Sequence, residues 1–454
     1  DGFVITTKAF FDFMEYNGLT KYIEATLPPR EHLDDDFLEK LSHEVRERVL
    51  KGKIPRTLAA HVTAATDILW VKYPKNRLRF AVRSSAWGED GEYSFAGQYE
   101  SVLNVPSKSI LEAYKRVLAS AYSMEAWHYR MQRGYHEHEL AMAVGCQLMV
   151  DAEVSGAMYT YAPLSTENEQ MLISAAWGLG PSVVQGIAES DTIFIDRTPP
   201  YRFQSMDVAS KEMMLIPKAD SGTEWTPVPE ALRNAPSLNA EQMERLAQAA
   251  LIIEKYQKRP QDVEWAFDKD GKLFILQSRP LNIRPKEPEK MLQYVDSAGN
   301  DQVIFAGKGV VVQHGIAMGK AFVVQNEEDL QVFPHGSILV SRYTSPRYSR
   351  IMQRAQGIIT DIGSATGHMS TLAREHRVPT IVDTGIATQV LSTGDEITLD
   401  ATRNTVYPGI IKELGRFELA GEDVFEDSYE YRLLRRILKK INPLNLVDPH
   451  SQDF

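Results

Sequence analysis

Residues 357–385 read GIITDIGSATGHMSTLAREHRVPTIVDTG, and this stretch decides the fold class. A hydrophobic run ending at Asp361 predicts a strand, a loop of small residues follows it, and MSTLAREH predicts a helix. His368 therefore stands where the helix begins. At that position backbone N–H groups and the positive end of the helix dipole stabilise an anion and disfavour the imidazolium. The sequence thus predicts a neutral, nucleophilic imidazole.

Small residues surround this histidine. Gly363 and Gly367 let the backbone approach a phosphate closely, and Ser364 and Thr366 offer hydroxyls to its oxygens. The alternative is a helix-capping loop with an incidental histidine, which is the more frequent case for a lone histidine after a glycine. The neighbouring residues favour a phosphate-carrying histidine instead.

The run from Ile338 to Gly409 closely resembles the swivelling phosphohistidine domain of phosphoenolpyruvate-utilising enzymes. Phosphoenolpyruvate synthase, pyruvate phosphate dikinase and rifampin phosphotransferase share that module. His368 falls on the histidine that this family phosphorylates, and the ARE-x-x-x-P-T pattern follows it. The resemblance spans most of the domain.

The chain departs from this family beside the histidine. The family usually has two glycines at Gly363-Ser364, serine or cysteine at Gly367, and small alanines at Met369-Ser370. The histidine is kept while its neighbours differ, which suggests an outlying subfamily with a different acceptor.

The first part of the chain carries side chains that suit nucleotide phosphates and Mg²⁺. Arg83 ends the strand-like run RLRFAVRSS, where a guanidinium can grip phosphate oxygens bidentately. Further along, DVEWAFDKDGKLFILQSRP predicts a β-hairpin whose turn is the Asp270-Gly271 pair.

Four side chains of this hairpin form a candidate metal and phosphate cluster. Asp262 and Glu264 alternate on one strand and face the same side, and Gln277 and Arg279 do so on the facing strand. The alternative is a surface hairpin with cross-strand charge pairs, which composition alone favours by roughly two to one.

Four segments of the first part of the chain also carry a family resemblance. The strings VRSSAWGEDGEYSFAGQYESVLNV, VDAEVSGAMYTYAP, WGLGPSVVQG and DVEWAFDKDGKLFILQSRP look like the ATP-grasp domain that accompanies the phosphohistidine module. The resemblance implies that Arg83 contacts phosphate, that Glu264 and Gln277 hold Mg²⁺, and that Asp262 and Arg279 complete the site.

The same resemblance places Gln147 and Met149 near the adenine, although an ordinary strand with Met149 in the core is an equally good interpretation. Residues 94–98, SFAGQ, would fold over the phosphates as a lid. The family normally begins with a glycine-rich segment that carries a nucleotide-binding lysine. We expect that segment upstream of GFVITT and therefore outside this sequence.

The pattern of elements predicts an α+β or α/β multidomain fold. Residues 8–70 read as mostly helical, and a long helical stretch is expected roughly from Ile110 to Gln132. The expected order is an ATP-grasp domain over 1–285, a linker over 286–300 and a swivelling phosphohistidine domain over 301–412. Residues 413–454 are expected to form a helical tail or the start of a missing domain.

Composition limits the class of partner. The 454-residue chain has a formal net charge of −11 and a pI near 5.6, which argues against nucleic acid and anionic membranes as partners. The sequence contains no run of about 18 apolar residues, so it predicts no membrane span. The single cysteine, Cys146, lies in an apolar strand-like run, so a reducing cytoplasm is the expected location.

Taken with the resemblance, these residues indicate an ATP-dependent phosphotransferase of the dikinase type. His368, Arg83 and Arg279 are the expected catalytic residues, and Thr366 joins the nucleotide contacts. In the family the histidine receives the β-phosphate and AMP is the product. About forty residues after the swivelling domain cannot build a (β/α)₈ barrel of roughly 250 residues, so the acceptor is expected on a missing region or a partner subunit.

Two other interpretations stay open at this point. The chain could be a phosphocarrier subunit without its own ATP chemistry, which a degenerate nucleotide site would favour. It could also be an ATP-grasp ligase that proceeds through an acyl phosphate and needs no histidine relay.

Overall fold

A computed structural model describes residues 1–27, 35–73, 78–86, 98–132, 137–162, 170–281, 303–326, 328–411 and 414. We call residues 1–281 the amino-terminal part and residues 303–411 the carboxy-terminal part. The linker predicted over 286–300, the lid residues 94–97 and nearly all of the tail over 413–454 lie outside the described residues. Helices and sheets mix in both parts, as the predicted fold class requires.

The amino-terminal part begins with a four-stranded sheet in the order β1-β4-β2-β3. Its strands are β1 (Gly2–Ile5), β2 (Arg79–Ala86), β3 (Val102–Pro106) and β4 (Met142–Leu148). Its helices are α1 (Thr7–Tyr16), α2 (Leu19–Thr26), α3 (Asp35–Lys51), α4 (Arg56–Lys72), α5 (Ile110–Ser120) and α6 (Met124–Gln132). Helices α1 to α4 agree with the helical opening predicted over residues 8–70.

The stretch predicted to be helical from about Ile110 to Gln132 is helical, but it divides into the two helices α5 and α6. Three successive i to i+3 backbone bonds tighten the end of α5, and the last runs from Ser123 N–H to the Ser120 carbonyl. The Ser123 hydroxyl then accepts a hydrogen bond from Ala126 N–H at 3.1 Å, which caps the start of α6.

A second sheet of six antiparallel strands follows in the order β12-β11-β5-β6-β7-β8. Its strands are β5 (Ala152–Tyr159), β6 (Gln170–Trp177), β7 (Asp191–Asp196), β8 (Phe203–Asp207), β11 (Gln261–Asp268) and β12 (Leu273–Pro280). A separate hairpin pairs β9 (Met213–Pro217) with β10 (Thr223–Pro227). The helices of this region are α7 (Pro181–Val184), α8 (Glu230–Arg233) and α9 (Ala240–Gln257).

The hairpin of β11 and β12 forms as predicted, with a three-residue turn. The Asp268 carbonyl accepts from Gly271 N–H at 2.9 Å, and Gly271 has φ +73°. A left-handed residue at this place is what a turn followed by a one-residue bulge requires, and glycine adopts it without strain.

The carboxy-terminal part is an eight-stranded sheet in the order β13-β20-β19-β15-β16-β17-β18-β14. Its strands are β13 (Phe305–Ala306), β14 (Val310–Gln313), β15 (Ile316–Val324), β16 (Ser337–Ser341), β17 (Ala355–Thr360), β18 (Thr380–Val382), β19 (Glu396–Asp400) and β20 (Thr405–Pro408). Its helices are α10 (Glu328–Gln331), α11 (His368–His376) and α12 (Ala387–Val390).

Buried apolar side chains join the two parts of the molecule. One core cluster includes Tyr129, Tyr159 and Leu172 of the amino-terminal part together with Met369 and Leu372 of helix α11. The helix that begins at His368 is therefore packed against the amino-terminal part. Among the described residues, no helix combines the length and apolarity needed to cross a membrane.

Candidate active site

Three neighbouring strands arrange the hairpin side chains in two rows. Strand register places Tyr159 of β5 opposite Asp262 of β11, and Asp262 opposite Arg279 of β12. Two residues along, Glu264 lies opposite Gln277. Because residues two apart on a strand share a face, both rows project from the same side of the sheet, as the sequence predicts for the four hairpin residues.

Arg83 connects the two amino-terminal sheets at this point. Its guanidinium lies 2.9 Å from Glu264 Oε2 and also donates to Gln277 Oε1. The side chains of Arg83 and Glu264 are only 23% and 16% exposed. Burial favours a higher pKa for Glu264, but the charges of Arg83 and Arg279 outweigh it and lower the pKa of this carboxyl. Glu264 is therefore ionised at neutral pH.

The second row is a buried ion pair. Arg279 Nε donates to Asp262 Oδ2 at 2.8 Å, and both side chains are less than 10% exposed. Burial raises the pKa of Asp262 although the Arg279 charge opposes that shift. For Arg279 the carboxylates of Asp262 and Glu264 outweigh burial and raise the pKa, so its guanidinium keeps its charge.

His368 is the first residue of α11, as predicted, and it faces this charged group. Burial, followed by the nearby charge of Arg279, lowers the pKa of His368 to about 3, while Glu264 opposes the shift. The imidazole is therefore neutral at physiological pH. Its Nδ1 atom is buried without a hydrogen-bond partner within the described portion of the chain.

The loop before His368 is held by its own hydrogen bonds. Ser364 Oγ and Thr366 Oγ1 lie 3.0 Å apart, and both residues are at most 2% exposed. The Thr366 hydroxyl, a predicted nucleotide contact, is thus engaged inside the loop. A Cβ on Gly367 would lie 3.3 Å from the Val184 carbonyl, so this glycine lets the loop approach the amino-terminal part closely.

Gln147 and Met149, the predicted adenine neighbours, lie at the end of β4. Gln147 pairs with Ala81, and Gly145 pairs with Arg83, so Gln147 projects from the same sheet face as Arg83. Met149 is half-buried just beyond β4. Gln147 therefore lies on the sheet face that carries Arg83, and Met149 follows directly after β4.

Several residues with no role in the sequence analysis connect the two parts of the molecule. Arg374 of α11 donates to the Tyr159 hydroxyl, and the Tyr129 hydroxyl donates to Glu375 at 2.8 Å. Further contacts run from Thr344 Oγ1 to the Gly186 carbonyl at 2.9 Å and from Arg350 to Glu125.

The sequence carries only a partial signal for these contacts. Arg374 and Glu375 belong to the ARE pattern that marks the family resemblance, but that pattern does not indicate their partners. Tyr159 stands in a strand among apolar residues, where a buried aromatic ring needs no special explanation.

Comparison with known proteins identifies the class. Residues 1–298 match the family model "Pyruvate phosphate dikinase, AMP/ATP-binding domain", and residues 333–404 match "PEP-utilising enzyme, mobile domain". The chain belongs to this family of nucleotide-binding phosphotransfer proteins, which confirms the resemblance and the predicted order of its two modules.

Similar proteins are named phosphoenolpyruvate synthases. A "Probable phosphoenolpyruvate synthase" of Archaeoglobus fulgidus is 34% identical over 415 residues, covering 91% of this chain and 54% of the relative. The "Phosphoenolpyruvate synthase" of Neisseria meningitidis is 32% identical over 427 residues, covering 90% of this chain and 54% of the relative. The chain thus spans about half the length of these curated relatives.

The oxygens of Glu264 and Gln277 fit a magnesium ion. Glu264 and Gln277 supply a carboxylate and an amide oxygen from adjacent strands, and the Arg83 cation bonds both oxygens. Mg²⁺ usually takes one or two such protein oxygens and completes its shell with water and substrate phosphates. Within the described residues no cluster of three acidic, histidine or cysteine ligands forms a closed metal cage.

Proposed function

We propose that this protein is a dikinase-type phosphotransferase that phosphorylates its own His368 from ATP and passes the phosphoryl group to an acceptor bound elsewhere. One observation carries the proposal: the helix that begins at His368 is packed against the amino-terminal part, with the imidazole within electrostatic reach of Arg83, Glu264 and Arg279. A neutral nucleophile and two phosphate-binding cations thus lie in one site.

Each side chain has a definite part in the proposed step. A lone pair of the neutral His368 ring forms the N–P bond while the P–O bond to the nucleotide leaving group breaks. Arg83 and Arg279 stabilise the charge on the phosphoryl oxygens. By likeness to the dikinases, attack on the β-phosphorus breaks its bond to AMP. Water then takes the γ-phosphate away as inorganic phosphate, and the β-phosphoryl group stays on His368.

Glu264 and Gln277 would hold Mg²⁺ in this site. When bound, the ion would neutralise charge on the nucleotide phosphates. Because Arg83 bonds both ligand oxygens in the structure, its guanidinium must release them and can then turn to the phosphates. We propose Gln147 and Met149 as the residues next to the adenine, and Thr366 as a support of the histidine loop.

Other parts of the proposal follow from the relatives and the sequence. Because the relatives are named for making phosphoenolpyruvate, the unphosphorylated three-carbon acid pyruvate is the first acceptor to test. We keep the domain limits of 1–285, 286–300, 301–412 and 413–454 as proposals, because the described sheets end at Pro280 and resume at Phe305. The cytoplasm is the proposed compartment, since the only cysteine is buried and free.

Intact-mass spectrometry at alkaline pH tests the proposal. The protein is incubated with Mg²⁺ and ATP, beside His368→Ala and His376→Ala variants. We expect a gain of about 80 Da, one phosphoryl group, in the unsubstituted protein and in His376→Ala but not in His368→Ala. His376 is a suitable control because it lies at the far end of the same helix.

The other outcomes separate the alternatives. A phosphoryl group on a residue other than His368 would overturn the proposed relay. No mass gain with ATP, but a gain from a phosphorylated partner, would identify a phosphocarrier. Product formation that His368→Ala leaves unchanged would identify a ligase.

A further inference from the structure

Tyr159 lies where the two parts of the molecule meet behind the reacting histidine. It ends strand β5, next to Asp262 in the sheet, and is completely buried. Burial raises the pKa of its hydroxyl, so the group keeps its proton and can donate. Tyr159 belongs to the row formed with Asp262 and Arg279, and its hydroxyl contacts residues of the carboxy-terminal part.

A closed set of contacts connects this hydroxyl to the histidine loop. Arg374 donates to the Tyr159 hydroxyl, and that hydroxyl lies 3.4 Å from the Ala365 carbonyl. Arg374 Nη1 also donates to the Ala365 carbonyl, at 3.0 Å. The Arg374 guanidinium carbon lies 4.9 Å from the centre of the Tyr159 ring, a cation–π distance.

The residues that Tyr159 contacts lie on both sides of His368 in the sequence. Ala365 precedes His368 by three residues, and Arg374 follows it by six on the same helix. Tyr159 therefore contacts both sides of the reactive residue from a strand whose neighbour carries Glu264. Movement of the loop relative to the nucleotide site would break at least one of these contacts.

We infer that Tyr159 is a positioning residue for phosphorylation of His368, holding the histidine loop in line with the nucleotide through Arg374 and the Ala365 carbonyl. The inference rests on the proposed function and deepens it. Arg374 and Ala365 belong to the mobile domain and stay bonded when it moves away, whereas Tyr159 stays behind. Tyr159 thus assists the phosphorylation of His368 by ATP and not the later transfer of the phosphoryl group to the acceptor.

The test measures the rate of His368 phosphorylation in Tyr159→Phe at saturating Mg-ATP. Samples are quenched rapidly, and intact-mass spectrometry gives the phosphorylated fraction at each time. We expect the maximal rate to fall about 10- to 100-fold, because a misplacement of about 1 Å costs a comparable factor. The dissociation constant for Mg-ATP is expected to stay the same, since the hydroxyl contacts the mobile domain. A purely structural role would instead change thermal stability and leave the maximal rate of the folded fraction unaltered.

Two comparisons make the result specific. Tyr348→Phe removes another buried tyrosine hydroxyl, one that donates to the Tyr343 carbonyl at 3.1 Å within the carboxy-terminal part, and is expected to leave the rate unchanged. In an Arg374→Ala background, Tyr159→Phe is expected to cause a much smaller loss than it causes alone, since the contact with Arg374 is already gone and only the long contact with the Ala365 carbonyl remains.

The outcomes separate the inference from the proposed function. If the unsubstituted protein and Tyr159→Phe are phosphorylated at equal rates, the positioning role is wrong and the relay stands. If the loss of rate in the double variant equals the product of the losses in Tyr159→Phe and Arg374→Ala, Tyr159 does not act through Arg374. If the unsubstituted protein gains no phosphoryl group from ATP, the proposed function itself fails.

Discussion

At the scale of single residues, Arg83 and the two oxygens that it bonds are the centre of the site. A guanidinium that bonds Glu264 and Gln277 neutralises a partly buried carboxylate, which would otherwise be costly to keep ionised. The same two oxygens are the proposed magnesium ligands. In the proposed site Arg83 and the metal would therefore compete for one position, and their exchange would be part of nucleotide binding.

The first prediction concerns Glu264→Gln. We expect the Mg²⁺ concentration that gives half-maximal His368 phosphorylation to rise about 10-fold or more, since altering even a hydrogen-bonded support of a metal ligand costs about 10–100-fold in affinity. Magnesium titration of the phosphorylation rate measures the change. Asp270→Asn is the matched control, because that carboxylate is exposed in the turn of the same hairpin. If both variants require the same magnesium concentration, Glu264 is not a ligand of the metal.

At the scale of elements, local patterns predict some of the fold well. The hairpin of β11 and β12 and the start of α11 follow from alternation, turn residues and a helix-start signal within a few positions. The strands β7 to β10 carry no comparable signal. The break between α5 and α6 also escapes prediction, since a serine within an apolar-periodic stretch does not by itself end a helix.

The contacts that complete the site cannot be predicted from one sequence in this way. Tyr159 and Arg374 are separated by 215 positions, and Arg83 and Glu264 by 181. Family resemblance identifies Arg83, Glu264, Gln277 and Arg279 as a group. It does not indicate which strand or loop of the amino-terminal part receives the histidine helix, because that depends on shape complementarity between two folded surfaces.

The second prediction concerns the loop after α7. Gly186 has φ +65°, and a Cβ there would lie 2.0 Å from Thr344 Oγ1 of the carboxy-terminal part. We expect Gly186→Ala to displace the docked domain and to lower the phosphorylation rate about 100-fold, by the cost of a misplacement of about 1 Å. Binding of Mg-ATP is expected to stay unchanged, and calorimetry beside the rate assay measures both.

A matched glycine separates docking from backbone strain. Gly222 has φ +75°, but a Cβ there would meet no atom within 4 Å. Gly222→Ala carries the same left-handed strain without the clash, so its rate is expected to match that of the unsubstituted protein. A normal rate in Gly186→Ala would show that phosphorylation does not require the contact between this loop and Thr344.

At the scale of the whole molecule, docking places two titratable groups of the carboxy-terminal part against the amino-terminal part. His368 faces Arg279, Glu264 and Arg83, and its pKa is lowered from 6.5 to about 3, chiefly by burial. The docked state therefore excludes a proton that the undocked imidazole binds. Docking is unaffected by His368 above about pH 6.5 and weakens as the pH falls below that value.

Asp383 has the opposite effect. Its carboxyl faces Asp207 and Glu189 of the amino-terminal part, and burial followed by these like charges raises its pKa from 3.8 to about 7. The docked state therefore retains a proton that the undocked carboxyl loses. Through Asp383, docking is favoured at low pH and weakens as the pH rises toward about 7.

The third prediction follows from this opposition. Between pH 7.5 and 5.5, lowering the pH is expected to weaken docking about 10-fold through His368 and to strengthen it by a similar factor through Asp383, so the unsubstituted protein changes little. Asp383→Asn is expected to show the weakening alone, and His368→Gln the strengthening alone. Energy transfer between dyes on Lys8→Cys and Lys320→Cys measures the docked fraction.

The chain suits this labelling, since Cys146 is buried and burial raises the pKa of its thiol to about 12, which leaves the two introduced surface cysteines as the reactive ones. The two single variants must diverge in opposite directions as the pH falls, and Asp383→Asn combined with His368→Gln must restore a flat response. If both single variants keep the pH response of the unsubstituted protein, neither group is buried by docking. The carboxy-terminal part would then adopt a different position in solution, with His368 exposed.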